Sequence, residues 1–164
     1  MNEIVLKISD KLNKFAEYLM IGLMTGISLL IFTQVVFRYV FNYSLFWSEE
    51  LARYTLIWIT FIGASVGFKK KGHIGVDFLY NKFSLQTQKK LTVFSDFTIL
   101  VLSLILTIYG TNLSKFVHMQ TSAALLIPMS IPYSAIAIGG FFTIFHSLNF
   151  LLEDINRLKP GKRS

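Results

Sequence analysis

Two side chains able to move a proton stand inside long apolar stretches, Asp96 and His146. Asp96 follows Lys90 by six residues, about 9 Å along a helix. His146 precedes Glu153 by seven residues, at a similar depth on a helix running the other way. If those helices are neighbours, the two form an intramembrane polar pair, the kind of group that lines proton and ion pathways. The alternative is that each lies close to an interface and reaches water by itself.

A second set of polar groups is embedded among aromatic residues. Arg38, Glu49, Glu50 and Arg53 are interleaved with Tyr39, Phe41, Tyr43, Phe46, Trp47, Tyr54 and Trp58. Amphipathic rings prefer the headgroup level of a membrane. Trp47, Leu51, Tyr54 and Trp58 fall on one helical stripe, and Glu49 and Arg53, four apart, can pair on another face. Ser48 is the expected N-cap, with Glu49 and Glu50 set against the positive end of the helix dipole. Capping and anchoring would account for the acids. So would a docking surface, because carboxylates at a lipid boundary need something polar to receive them. A third set, Lys69, Lys70 and Lys71, ends a helix before the turn Gly72-His73-Ile74-Gly75-Val76-Asp77 and suits anionic phospholipid headgroups. His73 and Asp77 by themselves are too few to ligate a metal.

Other chemistry lacks its residues. The chain has no cysteine, which removes disulfides, thiolate metal sites and cysteine nucleophiles. Its histidines, His73, His118 and His146, are not spaced to grip a haem from facing helices. There is no nucleotide-binding loop, no Ser–His–Asp grouping, and neither a broken midplane helix nor a mirrored second half. No enzyme activity, cofactor or metal is expected, and no complete transport site either.

The elements that position these residues are membrane spans. Of 164 residues, 53% are hydrophobic and 15% charged, against roughly 25% charged in soluble domains. Mean hydropathy is +0.55, so the expected solvent is lipid. A span needs about 20 apolar residues. Residues 18–37 carry no charge; the second span, 51–68, is short and is expected to start near Ser48; the third is 91–114. Pro128 and Pro132 divide the remaining apolar stretch, which predicts a loop up to Pro132 and a fourth span over 133–152. Residues 39–50 make an amphipathic outer segment. The reading is an all-α integral membrane protein with four transmembrane helices in one domain.

Charge then predicts orientation. Lys7, Lys11, Lys14, Lys69, Lys70, Lys71, Lys82, Lys89, Lys90, Arg157, Lys159, Lys162 and Arg163 share one side, leaving Arg38, Arg53 and Lys115 on the other. Lysine and arginine collect on the cytoplasmic side, so both termini are expected there. The net charge of +7 is therefore a topology signal, and no nucleic-acid partner is expected. The first span is too long for a cleaved signal peptide and no small-residue site follows it. Residues 3–17 place Ile4, Ile8, Leu12, Phe15 and Leu19 at helical spacing, with Glu3–Lys7 and Asp10–Lys14 as opposite-charge pairs. They predict an amphipathic interfacial helix, or else a solvated lead-in to the first span. Gly22 with Gly26 and Gly63 with Gly67 have the spacing that permits close helix packing.

At this point the residues become familiar. Phe37-Arg38-Tyr39-Val40-Phe41-Asn42, Ser44-Leu45 and Trp47-Ser48-Glu49-Glu50-Leu51-Ala52-Arg53-Tyr54 resemble the signature of the small membrane subunit of tripartite ATP-independent periplasmic (TRAP) transporters, the DctQ or SiaQ type. Gly72-His73-Ile74 with Val76-Asp77, and Ala124-Leu125 with Ile127-Pro128, are similar to its later motifs. The similarity covers about residues 15–152. Ser130 departs from it, standing where an aromatic residue is expected. The resemblance implies a four-helix scaffold seated against a large elevator-type membrane subunit that holds the substrate and sodium sites. It also implies a periplasmic binding protein that delivers an organic acid such as sialic acid or a C4-dicarboxylate. Arg38, Trp47, Glu49, Glu50 and Arg53 would then be interface residues toward those partners. Two other readings remain: a free-standing four-helix scaffold, or a small proton-coupled transporter using Asp96 and His146.

Overall fold

In the computed structural model, described over residues 2–70 and 84–158, four helices carry the chain: α1 (Asn2–Tyr39), α2 (Phe46–Lys69), α3 (Leu85–Phe116) and α4 (Ser130–Leu158). All four are long and apolar enough to cross a membrane. Lys71, the run from Gly72 to Asp77, Lys82, Lys159, Lys162 and Arg163 lie outside the described residues. So do the side chains of Glu3, Ile4 and Arg157.

Several boundaries differ from the sequence reading, each for a local reason. α1 is unbroken for 38 residues, so the segment 3–17 continues into the span without a turn of its own. At 1.5 Å per residue that helix is about 57 Å long, far more than the roughly 30 Å of bilayer hydrocarbon. Ser48 does not cap α2. The helix begins two residues earlier, its N-cap is Leu45 without a side-chain bond, and the Ser48 hydroxyl donates back to the Leu45 carbonyl at 2.6 Å. Pro132 does not end the last loop but sits in the first turn of α4, where its missing N–H has no helical acceptor to lose. α3 does carry a serine cap: Ser84 Oγ accepts from the Thr87 amide at 3.4 Å.

Contacts at both ends give the helix directions. Ser9 meets Lys69 and Gln34 meets Glu49, so α1 and α2 are antiparallel. Glu50 meets Ala124 just ahead of α4, and Phe68 packs edge-on against Phe150, so α2 and α4 are parallel. Ser114 bonds to Ser130 and Ser147 to Asp96, making α3 and α4 antiparallel. The starts of α1 and α3 and the ends of α2 and α4 therefore share one end of the molecule, the basic end. The aromatic residues 39–47 mark the other.

α4 is the hub. It packs against all three other helices, whereas α3 rests chiefly on α4. The innermost apolar residues are Ala16, Ile62 and Phe142, one from each of α1, α2 and α4, surrounded by Leu12, Leu19, Met20, Trp58, Val66 and Ile138. Close approach is made by glycines other than the two spaced pairs. A Cβ on Gly139 would stand 2.7 Å from the Phe61 carbonyl oxygen, one on Gly140 2.7 Å from Thr107 Oγ1, and one on Gly110 2.9 Å from the Ala137 amide nitrogen. Gly22, Gly26 and Gly67 meet nothing within 4 Å, and Gly63 meets only Met20. Of the spaced pairs, only Gly63 faces another helix of this chain, α1 through Met20; Gly22, Gly26 and Gly67 pack none.

Candidate functional site

The aromatic end is organised around Glu50. This half-buried residue lies in the first turns of α2 and points its carboxylate at the connection between α3 and α4. Oε2 accepts from the backbone amides of Ala124 at 2.6 Å and Leu125 at 3.1 Å. Oε1 accepts from the Tyr54 hydroxyl one helical turn on, and that hydroxyl also lies 3.3 Å from Met129 Sδ. A carboxylate receiving two backbone amides and a phenol is a fastener: its lone pairs are committed, and the bonds are charge-assisted.

The connection it holds is a tight hairpin. Thr121 and Pro128 form an isolated antiparallel bridge, Ser122 N–H donates to Ile127 O at 2.9 Å, and Met129 N–H donates to Gln120 O at 2.8 Å. The Ile127 amide also donates to Ser122 Oγ at 3.2 Å. At the tip Leu126 takes φ 54°, an unusual conformation for a branched side chain, and is 72% exposed. Glu50 thereby ties the two motif regions of the sequence, Trp47–Tyr54 and Ala124–Pro128, into one surface.

The other polar residues of this end stand apart from that bond. Glu49 is exposed and accepts from Gln34 Nε2 of α1 at 3.5 Å, and not from Arg53 as its spacing suggested. Arg38 and Arg53 are exposed, and Trp47 is half-buried. His118, past the end of α3, joins its Nδ1 to Ser130 Oγ at 2.9 Å and so links α3 to the start of α4.

The basic end holds a buried junction of three helices. His146, fully buried on α4, has its Nδ1 2.7 Å from Ser9 Oγ of α1. Lys69 of α2 donates to the same hydroxyl at 2.9 Å and pairs with Asp10 at 3.0 Å, while its ammonium lies 5.6 Å from the centre of the Phe150 ring. Lys70 pairs with Glu17 at 3.0 Å. The structure brings Asp96 close to His146, since Ser147 Oγ donates to the Asp96 carbonyl at 2.8 Å. The ring nitrogen that forms a bond, Nδ1, takes Ser9 and not the Asp96 carboxylate. Ser9 carried no sequence signal beyond being a small polar residue beside an apolar stripe. Lys69 and Lys70 are turned into ion pairs with α1, a use that a run of three lysines does not announce. Among the described residues no group of three or more His, Asp or Glu is placed to hold a metal ion.

Comparison with known proteins follows the same residues. The family model of the DctQ component of tripartite ATP-independent periplasmic transporters matches residues 27–157. A protein of Haemophilus influenzae named as a TRAP transporter small permease protein is 32% identical over 130 residues, 79% of this chain and 80% of its own length. The C4-dicarboxylate TRAP transporter small permease protein DctQ of Vibrio cholerae is 33% identical over 96 residues, 58% of this chain and 41% of its own length. The isethionate TRAP transporter permease protein DctMQ of Oleidesulfovibrio alaskensis is 28% identical over 133 residues, 76% of this chain but 21% of that longer protein.

Proposed function

The chain belongs to the DctQ family of TRAP transporters as a small permease subunit, a multi-pass membrane protein and not an enzyme, and on that premise we propose that it is the fixed scaffold for a large elevator-type membrane subunit. The large subunit moves the substrate, an organic acid such as sialic acid or a C4-dicarboxylate, together with sodium. A periplasmic binding protein delivers that acid at the aromatic end. Both termini then lie in the cytoplasm of a bacterium and the spans in its inner membrane, as the lysine-rich basic end supports.

The family match over 27–157 carries this reading. Two features support the division of labour. A carboxylate engaged by three donors, as Glu50 is, and an imidazole seated on Ser9 are joints, which suits a part that stays still. The DctMQ relative, nearly five times the matched length, supports a large partner carried in the same or a neighbouring chain. Arg38, Trp47, Glu49 and Arg53 supply the contact groups at the subunit boundary or the periplasmic face, while Glu50 shapes that face from beneath. Lys69 and Lys70, paired with Asp10 and Glu17, stand at the phospholipid headgroup level of the inner leaflet, and the lysine run they open, Lys69 to Lys71, suits anionic headgroups by its charge.

The test is to tag the chain, solubilise the native membrane gently and weigh what co-purifies. An equimolar large polytopic partner, and sodium-dependent organic-acid uptake by the reconstituted pair but not by this chain alone, is the expected result. A lone monomer or homo-oligomer, or uptake by this chain without a partner, would sink the scaffold reading.

A further inference from the structure

The junction at the basic end contains polar groups that protein atoms leave unsatisfied. His146 Nε2, Ser65 Oγ and Asn13 Oδ1 are buried without a hydrogen-bond partner, one each from α4, α2 and α1. His146 and Ser65 are fully buried residues. Buried polar atoms of this kind are rare, because each one costs its full desolvation unless something reaches it.

The three belong to one level of the molecule. α1 and α2 are antiparallel, with Ser9 against Lys69 and Ala16 clustered with Ile62, so the register puts Asn13 opposite Ser65. α2 and α4 are parallel, with Gly139 against Phe61 and Phe68 against Phe150, which sets His146 within one helical turn of Ser65. His146 itself touches Ser9, one turn from Asn13 on the same face of α1.

The hydrogen bonds around Ser9 indicate what each atom offers. Lys69 has only protons to give, so Ser9 Oγ accepts from it. Ser9 Oγ keeps one proton and one lone pair for His146 Nδ1; with that proton given to Nδ1 the ring proton stands on Nε2, the arrangement that the NMR measurement below reads. Asn13 gives its amide nitrogen to Glu17 at 3.0 Å, which leaves Oδ1 as an acceptor. The level therefore presents one donor, one acceptor and one hydroxyl that can be either. A cation would be opposed by the His146 Nε2–H, and an anion by Asn13 Oδ1. A water molecule, with two protons and two lone pairs, satisfies all three.

We propose that one internal water joins α1, α2 and α4 at this level, accepting from His146 Nε2–H, donating to Asn13 Oδ1 and bonding Ser65 Oγ. Three such bonds are the ordinary complement of a buried water. The site fixes the rotation of α1, because turning that helix would withdraw Ser9 and Asn13 together.

The full chain, labelled with nitrogen-15 histidine and held in lipid nanodiscs, can be measured by solid-state NMR at mildly alkaline pH. A His146→Gln variant identifies the His146 signals among those of His73 and His118. The expected result is a ring protonated on Nε2, with its proton showing a magnetisation-transfer peak to water that Ser65→Ala removes or weakens. A ring protonated on Nδ1 would overturn the proposal, as would an Nε2 proton that shows a peak to the Ser65 hydroxyl and none to water. The two overturning readings are taken on the unaltered chain, and His146→Gln serves only to assign the signals by their disappearance.

Discussion

At the residue scale, Glu50 and Glu49 show how neighbours of identical type acquire different work. Both stand at the start of α2, but only Glu50 faces the loop of residues 120–129, where it receives two amides and a phenol. Glu50→Ala should leave the Ala124 and Leu125 amides and the Tyr54 hydroxyl without their acceptor and loosen the hairpin. A cysteine placed at Leu126 in the otherwise cysteine-free chain reports this: protease nicking and spin-label mobility at the loop should rise several-fold with Glu50→Ala and stay unchanged with Glu49→Ala. Equal effects from the two would mean that the carboxylates only anchor the helix end. At the other end of the molecule, Ser9→Ala removes the group that both Lys69 and His146 address. It should lower stability by about 1–3 kcal/mol, read as a lower thermal midpoint in detergent. A change within error would show that His146 finds another partner without cost.

Elements here are held by small residues at helix crossings. Gly139 lies against the backbone of Phe61 on α2, and Gly140 against Thr107 on α3, so adjacent residues of α4 seat two different helices. Because the first neighbour is backbone and cannot swing aside, Gly139→Ala forces α2 and α4 apart. A cost of about 1–3 kcal/mol is expected, the usual range for overpacking. Gly22→Ala meets open space and should be neutral or slightly stabilising, by up to about 1 kcal/mol from helix propensity alone. Thermal unfolding of the two variants in the same detergent separates these outcomes. If Gly22→Ala instead leaves the isolated chain unaffected but abolishes recovery of the large subunit, that face of α1 belongs to the subunit boundary. The comparison also explains why glycine spacing was a poor guide to packing. Spacing says which residues share a face, and it leaves open whether a neighbour covers that face.

For the whole molecule, the alternation of helix directions puts both ends of the described chain at the basic end, which the proposed topology sets on the cytoplasmic side because of its lysines. The absence of cysteine makes the assignment directly measurable. A single cysteine replacing Tyr43 should react with a membrane-impermeant maleimide once the periplasm is open, whereas one replacing Lys11 should react only after the inner membrane is permeabilised. The reverse pattern would invert the proposed topology and move the binding protein to the wrong side of Glu50. Large apolar side chains such as Phe97, Ile105 and Ile108 on α3 and Tyr18 and Phe32 on α1 remain exposed, as expected of a chain whose surroundings are lipid and other subunits. Span number and class were legible in the sequence because uncharged length and helical period are properties of a continuous stretch of chain. Residues 18–37 have no charge whatever folds around them, and a lysine counts toward its side of the membrane wherever its side chain turns. The partners were not legible. Glu50 is bonded to amides more than seventy positions away and Ser9 to a ring 137 positions away. Which of Gly22 and Gly139 is covered depends on the rotation of each helix about its own axis. That rotation is set by the sum of many weak contacts between distant segments, and so only the tertiary structure decided it.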